Sequence, residues 1–245
     1  GARGPHPSQP TPPHPQRPTA HTMLILYGGT FDPFHNGHLA VARAARDAFA
    51  AEVRLLVAGD PPHRAPTGAS AADRADLVEA GIAGETGLVV DRRELGRRGP
   101  SYSIDTVLEV RAELGEAAPL AWLLGADAFL GLPHWHRWES LLGLVHWIVA
   151  LRPDQVPAFT SGAIGAAMPA PFERACRGRW TRDPGMLATR PSGLVHALAL
   201  APRPESASAV RAAIEAGGAW ADTVPEGVAA AIRARGLYGV RPGHP

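Results

Sequence analysis

The sequence predicts a doubly wound α/β fold: a mostly parallel sheet with helices on both faces, in a single domain closed by a small helical part at the C-terminus. Three observations carry that expectation. Short, near-continuous apolar runs alternate with stretches of helical period, and runs with no polar side suit strands covered on both faces. The order strand, helix, strand implies right-handed crossovers between parallel neighbours. The chain has 245 residues with 45% apolar and 19% charged side chains, enough for one substantial domain or two small ones and too apolar for general disorder.

Taken in order, residues 1–22 stand apart, with Pro5, Pro7, Pro10, Pro12, Pro13, Pro15 and Pro18 set among Gly, Gln, Ser, Thr and His. Little there suits a core, so a disordered or extended tail is expected, with Met23 as the natural start of the domain. The tail lacks the apolar stretch of a secretory signal. From Met23 the runs Met23–Tyr27, Val53–Val57, Leu120–Leu124, Leu144–Val149 and Leu194–Leu200 read as strands. Between them Leu39–Phe49, Asp73–Ala83, Ile104–Leu114 and Ala207–Ala216 read as helices. A last helix starts at Pro225, a residue suited to a first helical turn, and stops at Gly236 behind Arg233 and Arg235. Residues 155–192, rich in Gly, Pro and Ala, read as an irregular excursion with one short helix.

Composition excludes several functions. A formal net charge of +1 gives no global attraction to nucleic acid or to a membrane surface, and no apolar run is long enough to span a bilayer. All 24 basic residues are arginine, so a P-loop, whose Lys must reach the terminal phosphates, is ruled out. A phosphate clamp here must use Arg, His, backbone N–H groups or a metal. The single cysteine, Cys176, cannot form an internal disulfide and suits a reducing cytoplasm.

The richest stretch is Gly28-Gly29-Thr30-Phe31-Asp32-Pro33-Phe34-His35-Asn36-Gly37-His38-Leu39, which follows the first strand and opens the first helix. Ligands of open α/β sheets sit at the carboxyl ends of strands near a switch point. Paired glycines let backbone approach a phosphate, and a helix N-terminus offers free N–H groups and positive dipole. His35 and His38, three apart, can share one side of the first helical turn and donate to a phosphoryl group as its charge grows. Each such donor is worth about 2.7–4 kcal/mol. A two-histidine metal site is the competing reading, but no third ligand lies nearby and helical zinc pairs use i, i+4 spacing, so no metal site is assigned to the protein. Gly28-Gly29-Thr30 is also not the Gly-x-Gly-x-x-Gly of a dehydrogenase.

This stretch resembles the signature of the nucleotidyltransferase superfamily of adenylyl- and cytidylyltransferases, which carry His-x-Gly-His on a Rossmann-like fold. The likeness extends over nearly all of residues 23–240, and its details look like the bacterial nicotinate-nucleotide adenylyltransferases. The resemblance implies that Gly28, Gly29, Phe31, Gly125, Asp127, Arg152, Ser206 and Ser208 bind ATP and that Thr30, His35, His38 and Arg211 act on its phosphates. Pro61-Pro62-His63-Arg64 is similar to the family's loop beside the mononucleotide, and Ser101-Tyr102-Ser103-Ile104-Asp105-Thr106 to its Ser-Tyr-Thr-x-x-Thr segment, with Ser103 in place of Thr. By the same likeness His63, Arg64, Tyr102, Ser103, Trp135 and His136 bind nicotinate mononucleotide, with Trp135 stacked on the pyridine ring. For Trp138 core packing is the better reading, and Arg74 stands where the family has an Arg-rich helix start, with surface solvation as its plainer role.

Gly125-Ala126-Asp127, Arg152-Pro153 and Glu205-Ser206-Ala207-Ser208-Ala209-Val210-Arg211 resemble the remaining pieces of the ATP site. Asp154 stands where Gly is usual, Ser208 where Thr is, and Glu205 where an apolar residue is. A carboxylate at Glu205 would repel a triphosphate unless turned outward. Ser206 and Ser208 can cap the following helix, and Ser101 or Ser103 the helix near residue 104.

The implied division is a Rossmann-like core over 23–203 and a C-terminal helical part over 204–245 that completes the ATP site. The implied activity is adenylyl transfer from ATP to nicotinate mononucleotide in NAD biosynthesis, with Mg²⁺ carried by ATP. It would belong to a cytoplasmic enzyme, monomer or homodimer, with no nucleic-acid or membrane partner. Transfer to nicotinamide mononucleotide or phosphopantetheine, cytidylyl transfer, and a catalytically silent nucleotide-binding regulator stay open at this point.

Overall fold

Six parallel strands form one sheet in the order β3-β2-β1-β4-β5-β6, in a computed structural model that describes residues 22–60, 68–160 and 163–242. The strands are β1 (Leu24–Gly29), β2 (Glu52–Val57), β3 (Leu88–Asp91), β4 (Leu120–Gly125), β5 (His146–Leu151) and β6 (Val195–Ala199). The helices are α1 (Asn36–Phe49), α2 (Ala71–Gly81), α3 (Ser103–Leu114), α4 (Ala126–Leu130), α5 (Trp138–Leu144), α6 (Val156–Thr160), α7 (Ala170–Cys176), α8 (Ala207–Glu215) and α9 (Glu226–Arg235). The expected tail lies outside the described residues, apart from Thr22.

The apolar runs are continuous because alternate residues feed two cores. On one face Ile25, Val53, Leu55, Leu123 and Ile148 pack against Leu39 and Ala42 of α1, Leu77 and Val78 of α2, and Val210, Val228 and Ile232 of α8 and α9. On the other, Leu24, Leu26, Trp122, Trp147 and Val149 pack against Ile104 and Val107 of α3, Leu141 of α5 and Phe172 of α7. The segment after residue 203 therefore shares the sheet's first core. Burying one such side chain stabilises by roughly 1.5–3 kcal/mol, which is why the sheet needs both helical layers.

All five expected strands agree with the structure to within two residues at either end, the largest displacement being His146–Leu151 for the expected Leu144–Val149. Strand β3 is absent from those runs. It has only four residues at the sheet edge, three of them apolar and Val89 42% exposed, so the run is too short to stand out. Helix α2 starts before the expected Asp73 because the Ser70 hydroxyl accepts from the Asp73 N–H and caps it. Gly236 ends α9 with φ 63°, the left-handed turn that glycine supplies without strain. The described residues of 155–192 hold two short α-helices, α6 and α7, and two 3₁₀ turns, where one helix was expected.

Strand order reverses between β1 and β4, so the crevice at the carboxyl ends of those two strands is the switch point.

Candidate active site

The first helix of that crevice is capped by its own histidines. His35 is the N-cap of α1, and its Nδ1 accepts from the Gly37 and His38 N–H groups at 3.0 and 3.3 Å. The His38 Nδ1 accepts from the His35 N–H at 3.2 Å, a reciprocal capping box. Gly37 is required by this arrangement, since a Cβ there would lie 2.8 Å from the His35 ring. The two rings stack with centroids 3.6 Å apart, and Phe34 stacks on His38 at 5.6 Å. With both Nδ1 atoms used as acceptors, a neutral ring carries its proton on Nε2. Burial pushes the His35 pKa down to about 4, with Glu205 drawing it up and Arg203 down. Burial, then the His35 charge, holds His38 well below the usual histidine range. Both rings are therefore neutral Nε2–H donors at neutral pH.

At the end of β1, Gly28 and Gly29 have a nearer role than phosphate approach. A Cβ on Gly28 would meet Trp122 at 3.0 Å, and one on Gly29 would meet the Phe31 ring at 2.9 Å. Phe31 has φ 53°, and its ring is buried against Tyr27, Phe34 and His38. Its side chain is thus spent on the core, leaving only main chain to a ligand. Thr30 is exposed.

Gly125, Asp127 and Arg152 line one cavity of about 220 Å³ together with Tyr27, Leu124, Ala150, Gln155 and Leu200. It opens at the carboxyl ends of β1, β4 and β5, the switch-point crevice. Gly125 is the N-cap of α4 and Asp127 lies inside that helix, so Asp127 is not the cap residue. A larger cavity of about 770 Å³, beside Trp180, Phe159 and His196, contains none of the residues assigned from the sequence to the nucleotide or mononucleotide site. The crevice is the site because chemistry, not volume, gathers there.

Helix α8 brings the second N-terminus. Ser206 is its N-cap and accepts from the Ala209 N–H at 3.1 Å, while Ser208 touches only the Ser206 hydroxyl, at 3.3 Å. Ser208 is thus not a cap. Glu205 is not turned outward: its side chain is 9% exposed and holds the Arg203 guanidinium at 2.6 and 3.0 Å. Pairing, rather than orientation, neutralises the carboxylate. Arg211 donates to the Asp32 carbonyl oxygen at 2.6 Å, so α8 is tied to the β1 loop.

On the other side of β1, Tyr102 stacks on His136 at 4.2 Å. Trp135 is half-buried, edge-on to Trp122 and Trp147 at 6.0 and 6.2 Å, while Trp138 packs edge-on against Phe172 at 5.6 Å, as core packing requires. Neither Ser101 nor Ser103 caps α3. Tyr102 is the N-cap with no side-chain bond, Ser103 is the first helical residue, and the Ser101 hydroxyl accepts from Arg97 at 2.8 Å. His63 and Arg64, with the rest of their loop, lie outside the described residues.

Three residues were not read from the sequence as site residues, or were read otherwise. Arg74 is fully buried instead of solvated, and donates to the Ala69 and Thr30 carbonyls at 3.2 and 2.6 Å and to Asp60 at 3.1 Å. Asp32, also buried, accepts from the Gly68 N–H at 2.7 Å, the Ala69 N–H at 3.1 Å and the Tyr238 hydroxyl at 2.6 Å. These partners lie 36 to 206 residues away along the chain, so no local pattern reveals them. Among the described residues no group of three His, Cys, Asp or Glu side chains gathers to hold a metal ion.

Comparison with known proteins adds names to this geometry. Residues 26–213 match the family model described as cytidylyltransferase-like. A protein of Stenotrophomonas maltophilia named "Probable nicotinate-nucleotide adenylyltransferase" is 48% identical over 89% of this chain and 97% of its own. One of Xylella fastidiosa with the same name is 44% identical over 89% and 97%. Among solved structures, the nicotinic acid mononucleotide adenylyltransferase of Plasmodium falciparum complexed with NaAD has the same fold, with TM-score 0.60 at 15% identity over 90% of this chain and 99% of that one.

Proposed function

The chain belongs to the cytidylyltransferase-like family, and we propose that it transfers the adenylyl group of Mg-ATP to nicotinate mononucleotide, giving nicotinate adenine dinucleotide and pyrophosphate for NAD biosynthesis. The names of its relatives at 40–48% identity support this activity. The single observation that carries the chemistry is the pair of fixed Nε2–H donors at the α1 N-terminus, beside the N-terminus of α8.

An oxygen of the mononucleotide 5′-phosphate attacks the α-phosphorus of ATP in line, and the bond from that phosphorus to the bridging oxygen of the β-phosphate breaks. The nucleophile is already ionised, so no general base is required, and the transfer is promoted by alignment and charge stabilisation. His35 and His38 suit this role because they stay neutral and donate hydrogen bonds without giving up a proton. Their α1 N-terminus adds N–H dipoles at the same point. Arg211, 40% exposed along its side chain, is proposed to turn from the Asp32 carbonyl to the polyphosphate, with Thr30 and the main chain of Gly28, Gly29 and Phe31 near the α-phosphate.

The 220 Å³ cavity of Gly125, Asp127 and Arg152 is proposed for the adenosine, with Asp127 accepting from ribose hydroxyls. Ser206 and Ser208 complete the phosphate contacts from 204–245. The Tyr102–His136 stack and half-buried Trp135 are proposed for the pyridine ring. Ser103 and the N–H groups of α3, which no side chain caps, would hold its carboxylate, with His63 and Arg64 at the phosphate. The cation is proposed to be Mg²⁺ held by the triphosphate and delivered as part of the substrate. No described helix is long and apolar enough to cross a membrane. The cytoplasm is the proposed compartment, and a monomer or homodimer the proposed state.

A pyrophosphate-release assay with Mg-ATP tests the acceptor. Release is expected with nicotinate mononucleotide and not with phosphopantetheine, with nicotinamide mononucleotide slower than the acid. Release with phosphopantetheine alone would overturn the roles given to Trp135 and Ser103.

A further inference from the structure

Asp32 is a buried carboxylate at the foot of the phosphate loop, and the donors around it compete. Its Oδ1 accepts from the Tyr238 hydroxyl at 2.6 Å and the Ala69 N–H at 3.1 Å, and its Oδ2 from the Gly68 N–H at 2.7 Å. Arg211 lies beside the same carboxylate yet is not paired with it closely, its Nη1 standing 3.9 Å from Oδ2 and bonding the neutral Asp32 carbonyl at 2.6 Å instead. A free carboxylate so placed would capture a guanidinium at about 2.7–2.9 Å. Three donors fill most of its roughly four acceptor positions.

Tyr238 is held in place for this task. It has φ 57° and ψ 22°, a conformation that a bulky side chain adopts at a cost and that marks functional positions when the surroundings enforce it. Its ring and the Arg211 stem both crowd Gly68, where a Cβ would lie 2.6 Å from the ring and 3.2 Å from the Arg211 Cδ. Burial, and then the hydrogen bond to Asp32, raises the phenol above its ordinary range, so it keeps the proton it donates.

We propose that Tyr238 is a positioning residue for the reaction: by occupying the Asp32 carboxylate it keeps Arg211 on a weak, neutral acceptor from which the guanidinium can transfer to the ATP polyphosphate. The inference rests on the role given to Arg211 above. Removal of the hydroxyl leaves Oδ1 with the Ala69 N–H alone and the carboxylate less neutralised, so Arg211, 40% exposed along its side chain, closes the 3.9 Å to Oδ2 and forms an ion pair that ATP must then break.

Steady-state kinetics of Tyr238→Phe, Arg211→Ala, Asp32→Asn and the Asp32→Asn/Tyr238→Phe pair test this. Tyr238→Phe is expected to raise the KM for Mg-ATP about ten- to hundredfold, the worth of one charge-assisted hydrogen bond, with little change in the KM for nicotinate mononucleotide. Adding Asp32→Asn, which removes the competing charge, is expected to restore much of the ATP affinity. The Arg211 Nε–H resonance, assigned by its loss in Arg211→Lys, gives a readout that does not need the Asp32 variants to fold. It should exchange more slowly with water in Tyr238→Phe than in the wild type.

A lowered thermal midpoint in Tyr238→Phe, with unchanged KM and unchanged Arg211 exchange, would make the hydroxyl a purely structural anchor and overturn the proposal. A pair as impaired as Tyr238→Phe alone would overturn it as well. If Arg211→Ala kept the wild-type KM for ATP, the reading of Arg211 itself would fall; if Arg211→Ala were impaired and Tyr238→Phe were not, only this inference would.

Discussion

His35 and His38 each serve two purposes, as caps through Nδ1 and as proposed phosphate donors through Nε2, and a substitution separates these. In His38→Ala one transition-state donor and one capping acceptor are lost together. The expected result is a fall in kcat of about 10²–10³, as for removal of a single oxyanion donor, against a loss of roughly 1 kcal/mol in stability from the cap. Measuring kcat beside the unfolding midpoint separates the two. The same rings govern pH dependence. Burial holds His35 near 4 and His38 well below the usual value, and it also lowers His146. An unfolded chain takes up protons on these groups near pH 6.5 while the native state resists, so their stabilisation is complete above about pH 6.5 and falls as pH is lowered, for His35 until about pH 4, with His38 and His146 acting in the same direction. Urea titrations between those pH values are expected to show that loss at up to ~1.4 kcal/mol per pH unit for each ring. His35→Asn, which keeps a capping side chain, should show a shallower slope. At this scale the histidine pair was legible because its parts sit within one turn. Asp32, Arg74 and Tyr238 were not, since burial and a partner far along the chain define their roles.

Between elements, close approach decides. Helices α2 and α9 cross where Gly227 faces Ala80, and a Cβ on Gly227 would lie 2.7 Å from the Ala80 carbonyl oxygen. Backbone cannot rotate away as a side chain can, so Gly227→Ala must push α9 off α2. A loss of about 1–3 kcal/mol in denaturant unfolding is expected, the usual size for overpacking; an unchanged midpoint would show that α9 shifts freely. The strands with both faces buried were readable as apolar runs, and helices ending at strong signals such as Gly236 were readable too. Strand β3 was not, because its four residues, only three of them apolar, are too short a run to stand out. Residues 155–192 hid α6 and α7, whose 5 and 7 residues are too few for a helical period to show. The position of Glu205 was misjudged for a different reason: its partner Arg203 is two residues away, and pairing rather than exposure settles where a carboxylate can sit.

The whole molecule gives the site its place. An order of β3-β2-β1-β4-β5-β6 leaves a crevice between β1 and β4, lined by Tyr27 of β1, the β4 turn and the end of β5, and the phosphate loop with the α1 cap follows directly on β1. Helix α8 reaches the same loop through Arg211, while packing its apolar side into the core that α1 and α2 share. The parallel sheet was legible from sequence because alternation of strand and helix admits few topologies. The pocket shape was not, because it is made by residues drawn from most of the chain's length. The central claim is adenylyl transfer to nicotinate mononucleotide, and mass spectrometry of the products tests it most directly. The enzyme mixed with Mg-ATP and nicotinate mononucleotide should yield nicotinate adenine dinucleotide and an equal amount of pyrophosphate. ADP, or AMP with no dinucleotide, or both substrates recovered unchanged, would contradict it.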